Sequence, residues 1–96
     1  MKKVILHGDR IKSEFDFHRE ISSALDLGEY YGCNLDALWD CLNYNVERPV
    51  LIIWLRSLDS KDYLGGDFER ILHVFNFIKH QDIEAGLKDC FDFILQ

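Results

Sequence analysis

Val50-Leu51-Ile52-Ile53-Trp54-Leu55 is an unbroken apolar run of six residues directly after the only proline, Pro49. Its length is far from the roughly 20 apolar residues that span a bilayer, and it lacks the alternation of a half-exposed strand. A short continuous run of this kind predicts a strand covered on both faces, or one central in a small parallel sheet. The other elements must then cover it. Val4-Ile5-Leu6, closed by His7-Gly8-Asp9, predicts a first strand, and Cys90 to Leu95 a last one. Between them, Ser13 is a good N-cap with Glu14 and Asp16 in the following turn, and Phe17, Ile21, Ala24 and Leu25 recur at helical spacing as far as Gly28, so a helix is expected over 14–26. Asn34 caps a second helix carrying Leu35, Leu38, Cys41 and Leu42, which must end before Pro49. Residues 56–66 read as an irregular connection with at most a short helical turn. Asp67 then caps a helix over 68–80, followed by a polar loop through Gly86. Strand, helix, helix, strand, helix, strand is an alternating order, and it predicts an α/β fold: a small three-stranded parallel sheet packed with helices. A chain of 96 residues has room for one domain, 1–96.

Charge is distributed unevenly. The chain has 17 acids and 11 bases, a formal net charge of −6, which disfavours a basic groove for nucleic-acid phosphates. Between Arg19 and Arg48 there is no Lys or Arg, while Glu20, Asp26, Glu29, Asp36, Asp40 and Glu47 all fall there. The remaining 11 acids match the 11 bases, so the whole imbalance belongs to that segment. At about 100° per residue, Leu35, Leu38, Leu42 and Cys41 form one stripe of the second helix. Asp36, Asp40, Asn43 and Glu47 form another, with Trp39 on the border.

Three readings of the polar stripe stand on these residues alone. It could be an ordinary solvated face. It could bind a protein partner, because Asp36 and Asp40 are like charges at i and i+4 without a nearby cation, and a border Trp is a frequent interface anchor. It could serve metal-dependent hydrolysis by the two aspartates, although no third oxygen ligand follows at a recognisable spacing. Elsewhere the chemistry is sparse. Glu14–His18 and Glu69–His73 read as helix-surface ion pairs, and no nucleophile triad or phosphate-binding glycine loop is present. No cofactor or metal is expected. Three cysteines, Cys33, Cys41 and Cys90, cannot all pair within the chain and lack zinc spacing. With only three consecutive apolar residues near the start, no export signal or membrane association is expected, and a cytoplasmic location is.

The string EYYGCNLDALWDCL at residues 29–42 resembles the signature of the barstar family, intracellular protein inhibitors of a secreted ribonuclease. The opening KKVILHGDRIKSEFDFHREI, the apolar run after Pro49, Val74-Phe75 and the closing FILQ also sit where the family places comparable segments. The resemblance covers nearly the whole chain. It implies a small parallel three-stranded sheet with flanking helices, no catalytic activity, and a basic ribonuclease as partner in a 1:1 complex.

It also implies a plug of loop 30–34 and the second helix, with carboxylates standing in for RNA phosphate. Asp40 matches the central aspartate of that plug, Asp36 a second carboxylate at the rim, and Tyr30 an aromatic packed on the enzyme's catalytic loop. Asn34 and Trp39 match flanking contacts, and Asn43 lies on the same stripe. Two places depart from the family pattern. Tyr44-Asn45 stands where the family's type member has Gly-Trp, and Phe77 stands at an acidic contact position. Phe77 is off the core stripe of its helix, so it is either an exposed apolar contact or covered by the loop 81–89. The alternative to inhibition is a regulatory or adaptor module on the same fold that no longer binds a nuclease.

Overall fold

A computed structural model describes residues 1–96. The chain forms β1 (Lys2–His7), a 3-10 turn (Gly8–Arg10), α1 (Glu14–Leu25), α2 (Leu35–Tyr44), β2 (Val50–Leu55), α3 (Ser57–Leu64), α4 (Gly66–Glu84) and β3 (Phe91–Leu95). The three strands make one parallel sheet in the order β1-β2-β3, so the apolar run is the central strand. This is the α/β architecture expected from the alternation of elements, with one more helix than the sequence suggested.

Caps set the two helices that carry the acidic segment. Ser13 Oγ accepts the Asp16 N–H at 3.1 Å, and Asn34 Oδ1 accepts the Ala37 N–H at 2.8 Å. Each satisfies an otherwise unpaired donor of its first turn. Asp26, in the left-handed conformation (φ 54°), ends α1 two residues before the expected Gly28.

Trp54 is the centre of the core. Its ring stacks on Phe17 at 5.3 Å and meets Phe68 and Phe75 at 5.2 and 6.2 Å, and these rings are all buried with Leu6, Ile21, Ile52, Ile71 and Phe91. The indole N–H donates to Ser60 Oγ at 2.9 Å, and Ser60 Oγ donates to the Gly8 carbonyl at 2.8 Å. Ser60 thereby ties α3 to the turn after β1. The sequence predicts only an irregular connection over this stretch. The buried positions of α3 are Ser57, Ser60 and Leu64, so it is held by hydrogen bonds and has little apolar periodicity to detect. Gly8 is buried in the same corner, and a Cβ there would run into the Leu55 and Arg56 carbonyls. Gly8→Ala is expected to lower stability by about 2 kcal/mol or more; an unchanged urea midpoint would refute that packing constraint.

The bounds expected for the last helix are corrected. α4 begins at Gly66, with Asp67 in its first turn paired to Arg70, and it runs to Glu84, past the expected end at residue 80. Asp82, assigned to a loop by its polarity, is a buried helical residue. Its carboxylate accepts Arg48 Nε at 2.8 Å and the Phe91 N–H at 2.8 Å, joining the residue before Pro49, the end of α4 and the start of β3. For β2 the structure shows the second of the two expectations, a central strand, and not one covered on both faces. Val50, Ile52 and Trp54 are buried, whereas Leu51, Ile53 and Leu55 are only half-buried. These three neither join the core nor pack against it, so only one face of the strand is covered by helices.

Candidate functional site

The loop after α1 and the exposed side of α2 form one surface, set in place from beneath. Tyr31 points inward and its hydroxyl lies 2.7 Å from Nδ1 of the fully buried His18; His18 Nε2 lies 3.2 Å from Glu14 Oε1. The carboxylate only accepts, so Nε2 carries the proton and Nδ1 accepts from Tyr31. Burial pushes the Tyr31 phenol upward, and the neighbouring Cys41, Cys33 and Glu14 push in the same direction, so it stays a donor. His18 is thus a buried anchor for the loop and not the surface ion-pair partner the sequence suggested. A signal was present: on the helical wheel His18 falls within about 20° of Leu25, inside the apolar stripe. Tyr31→Phe is expected to cost about 1–3 kcal/mol by leaving the His18 acceptor unpaired; thermal unfolding of the variant measures it, and an unshifted transition would refute the anchor.

Around this anchor the backbone turns outward. Cys33 adopts φ 54°, and Asn34 Nδ2 donates to the Gly32 carbonyl at 3.3 Å while its Oδ1 caps α2. Asn34 is therefore committed to shaping the loop as well as being exposed. Tyr30 projects from the loop, 93% exposed, and lines one hollow with Cys41 and Asn45.

On α2, Leu38 and Leu42 are buried, Leu35 and Cys41 half-buried, and Asp36 and Asp40 exposed on successive turns. Burial, with the Asp40 charge beside it, pushes the Cys41 thiol upward, which makes it a poor nucleophile. All three cysteines are free thiols. Glu47 lies beyond the end of α2, so the acidic stripe of the helix itself stops at Asn43.

None of the ion pairs in the molecule uses Asp26, Glu29, Asp36, Asp40 or Glu47, and all five are exposed. The sixth acid of the segment, Glu20, is occupied: its Oε1 accepts the His7 N–H at 3.0 Å. Arg48, the cation closing the segment, is held by Asp82.

Where α2 packs on α4, Trp39 is half-buried and lies 6.4 Å from the Tyr44 ring and 6.3 Å from Phe77. Asn43 Nδ2 donates to the Trp39 carbonyl at 3.1 Å, and Gln81 of α4 donates to Asn43 Oδ1. Phe77 is 49% exposed and rests on Trp39; residues 81–84 continue its helix and do not fold over it. Of the two sequence alternatives for Phe77, the exposed one describes the structure. The structure therefore gathers Trp39, Asn43, Tyr44 and Phe77 at the α2–α4 junction, with Asp36 and Asp40 on the helix between that junction and the loop bearing Tyr30 and Asn34. Gln81 is the member of this group that sequence reasoning missed, because a polar residue in an apparent loop carries no signal of its partner. No three His, Cys, Asp or Glu side chains converge on a metal-binding arrangement, and no helix is long and apolar enough to cross a membrane.

Residues 1–94 match the family described as Barstar (barnase inhibitor). The chain belongs to the barstar family. It is also 33% identical over 96 residues to a Bacillus subtilis (strain 168) protein named "Putative ribonuclease inhibitor YrdF", with both chains covered in full. Membership of the barstar family points to an inhibitor of a ribonuclease and away from a catalyst, and the three-stranded parallel sheet with its helices is a barstar-like fold.

Proposed function

We propose that this protein binds a basic ribonuclease inside the cell in a 1:1 complex and blocks its active site with the loop 30–34 and the exposed face of α2. The observation that carries the reading is the set of five exposed carboxylates, Asp26, Glu29, Asp36, Asp40 and Glu47, with no cation of this chain paired to any of them. Intramolecular charge pairs are made elsewhere in the molecule, so this surface is left for cations supplied by a partner. Asp40 takes the place of an RNA phosphate among the enzyme's catalytic cations, and Asp36 pairs with basic residues at the rim. Tyr30 packs on the catalytic loop, Asn34 and Asn43 hydrogen-bond beside it, and Trp39, Tyr44, Asn45 and Phe77 fill the edge. Charge complementarity of this kind steers encounter and, once desolvated, couples charges by several kcal/mol; the reference case for that range is the barnase–barstar pair itself.

Titrating a barnase-type ribonuclease, or a basic nuclease if one is encoded beside this chain, with the purified protein tests the reading. Activity is expected to fall linearly to an endpoint at one equivalent, with association slowing as salt rises. No inhibition of either enzyme, with the chain fully folded, would favour an adaptor module on the same fold.

A further inference from the structure

The apolar central strand is only half used by the fold. Its second face belongs to a regular array across the sheet: Lys3, Leu51 and Asp92 form one row, and Ile5, Ile53 and Ile94 the next. Ile5 is 47% and Ile94 40% exposed, and neither they nor Leu51, Ile53 and Leu55 pack against the core. Each row has a symmetry that decides what fits it. A two-fold axis parallel to β2 and lying above it exchanges β1 with β3 while keeping every row in place. Ile5 then meets the partner subunit's Ile94, Ile53 meets the partner subunit's Ile53, and Leu51 meets the partner subunit's Leu51. In the charged row, Lys3 meets the partner subunit's Asp92, and Asp92 meets the partner subunit's Lys3. The face is thus complementary to itself in both shape class and charge.

We propose that two copies of this chain associate through the open faces of their sheets, as an aligned sandwich with the Ile5-Ile53-Ile94 rows interdigitated and two Lys3–Asp92 pairs at its edges. Aligned sheets pack about 10 Å apart with side chains meshing between them, which suits the Ile5-Ile53-Ile94 row with Leu51 and Leu55 on either side of it along β2. Asp92 already receives Lys79 from α4 at 2.9 Å and remains 49% exposed, so it has acceptor capacity for a second cation.

The area sets the strength. Strands of about six residues at ~3.3 Å each, spaced ~4.8 Å apart, give a footprint of about 20 by 14 Å. That is below the ~800 Å² per partner of a standard stable interface. The dimer is accordingly weak and concentration-dependent. α2 packs on α4, and the helices lie on the other side of the sheet, so the loop 30–34 and the exposed face of α2 stay open in the pair.

Sedimentation equilibrium of the full chain from about 10 μM to 1 mM tests the proposal. A monomer–dimer equilibrium is expected, weakened at least tenfold by Ile5→Lys, a substitution at an exposed position whose folding is checked by its thermal transition. Lys3→Asp is expected to weaken association, and Lys3→Asp combined with Asp92→Lys to restore it. A monomer at every concentration would overturn the proposal, as would a dimer indifferent to Ile5→Lys. Dimerisation insensitive to the charge reversals, or not rescued by the double exchange, would overturn the two-fold arrangement.

Discussion

Asp40→Ala is expected to weaken binding of the ribonuclease by several kcal/mol, against a hot-spot range of about 2–8 kcal/mol whose upper end comes from an aspartate of barstar itself. Several features converge on this residue. It is exposed on α2, pairs with no cation of its own chain, and follows Trp39, whose ring meets Phe77 where α2 packs on α4. In the proposed complex the charge would be buried among cations, and removing it would leave those cations unpaired, which is why truncation is expected to cost more than the loss of an exposed ion pair. Every 1.4 kcal/mol is tenfold in Kd, so a loss of about 4 kcal/mol is close to a thousandfold. The loss should appear in the dissociation rate, whereas replacing Glu29 or Glu47 should act mainly on association and its salt dependence. Asp40→Asn separates charge from shape. Because the side chain is exposed in the free protein, its thermal transition should barely move; a binding loss below about 0.5 kcal/mol would remove the plug mechanism.

The second large effect is on stability. Asp82→Ala is expected to destabilise the fold by about 3 kcal/mol, because it strands the guanidinium of Arg48 and the backbone N–H of Phe91 at once. The Arg48 side chain is only 14% exposed and that of Asp82 4%, so solvent offers little replacement. The pH dependence follows from the same contacts. Burial alone would raise the Asp82 carboxyl, but the hydrogen bonds from Arg48 and the Phe91 N–H outweigh it and hold the group below the usual carboxylate range. A carboxyl depressed in the folded state contributes stability in full above its unfolded pKa of about 3.9 and loses it as pH falls through the lower folded value. Wild-type stability should therefore fall in that acid range, and the Asp82→Ala variant should fall less steeply there. Urea midpoints at pH 7, 4 and 3 measure both; parallel acid profiles would show that the pair does not govern the response.

What could be read from the residues depended on whether the signal was local. Ser13 and Asn34 announced α1 and α2 because a cap and an apolar stripe lie within one short window, and Val50 to Leu55 announced the central strand by itself. α3 was not legible, since Ser60 is fixed by Gly8 and Trp54, partners far along the chain or on another element. The same holds at Asp82, whose partners Arg48 and Phe91 make a polar residue helical and buried. A continuous apolar strand also looks alike whether one face or two are covered, and only the placement of all the helices on one side distinguished them. In the candidate site, Asp36 and Asp40 were visible as uncompensated charges on one stripe. The Tyr31–His18 anchor was legible only in half: the helical wheel puts His18 on the apolar stripe, but its spacing after Glu14 is that of an exposed pair and nothing local names Tyr31 as its partner.

The two tryptophans divide the molecule between them. Trp54 is sealed in the core with its N–H committed to Ser60, while Trp39 is partly open to water at the α2–α4 junction. Their emission should therefore separate by wavelength, a blue component that persists until the core opens and a redder one sensitive to what touches α2. The chain carries its own pair of fluorescent labels, one for folding and one for docking, without any dye attached.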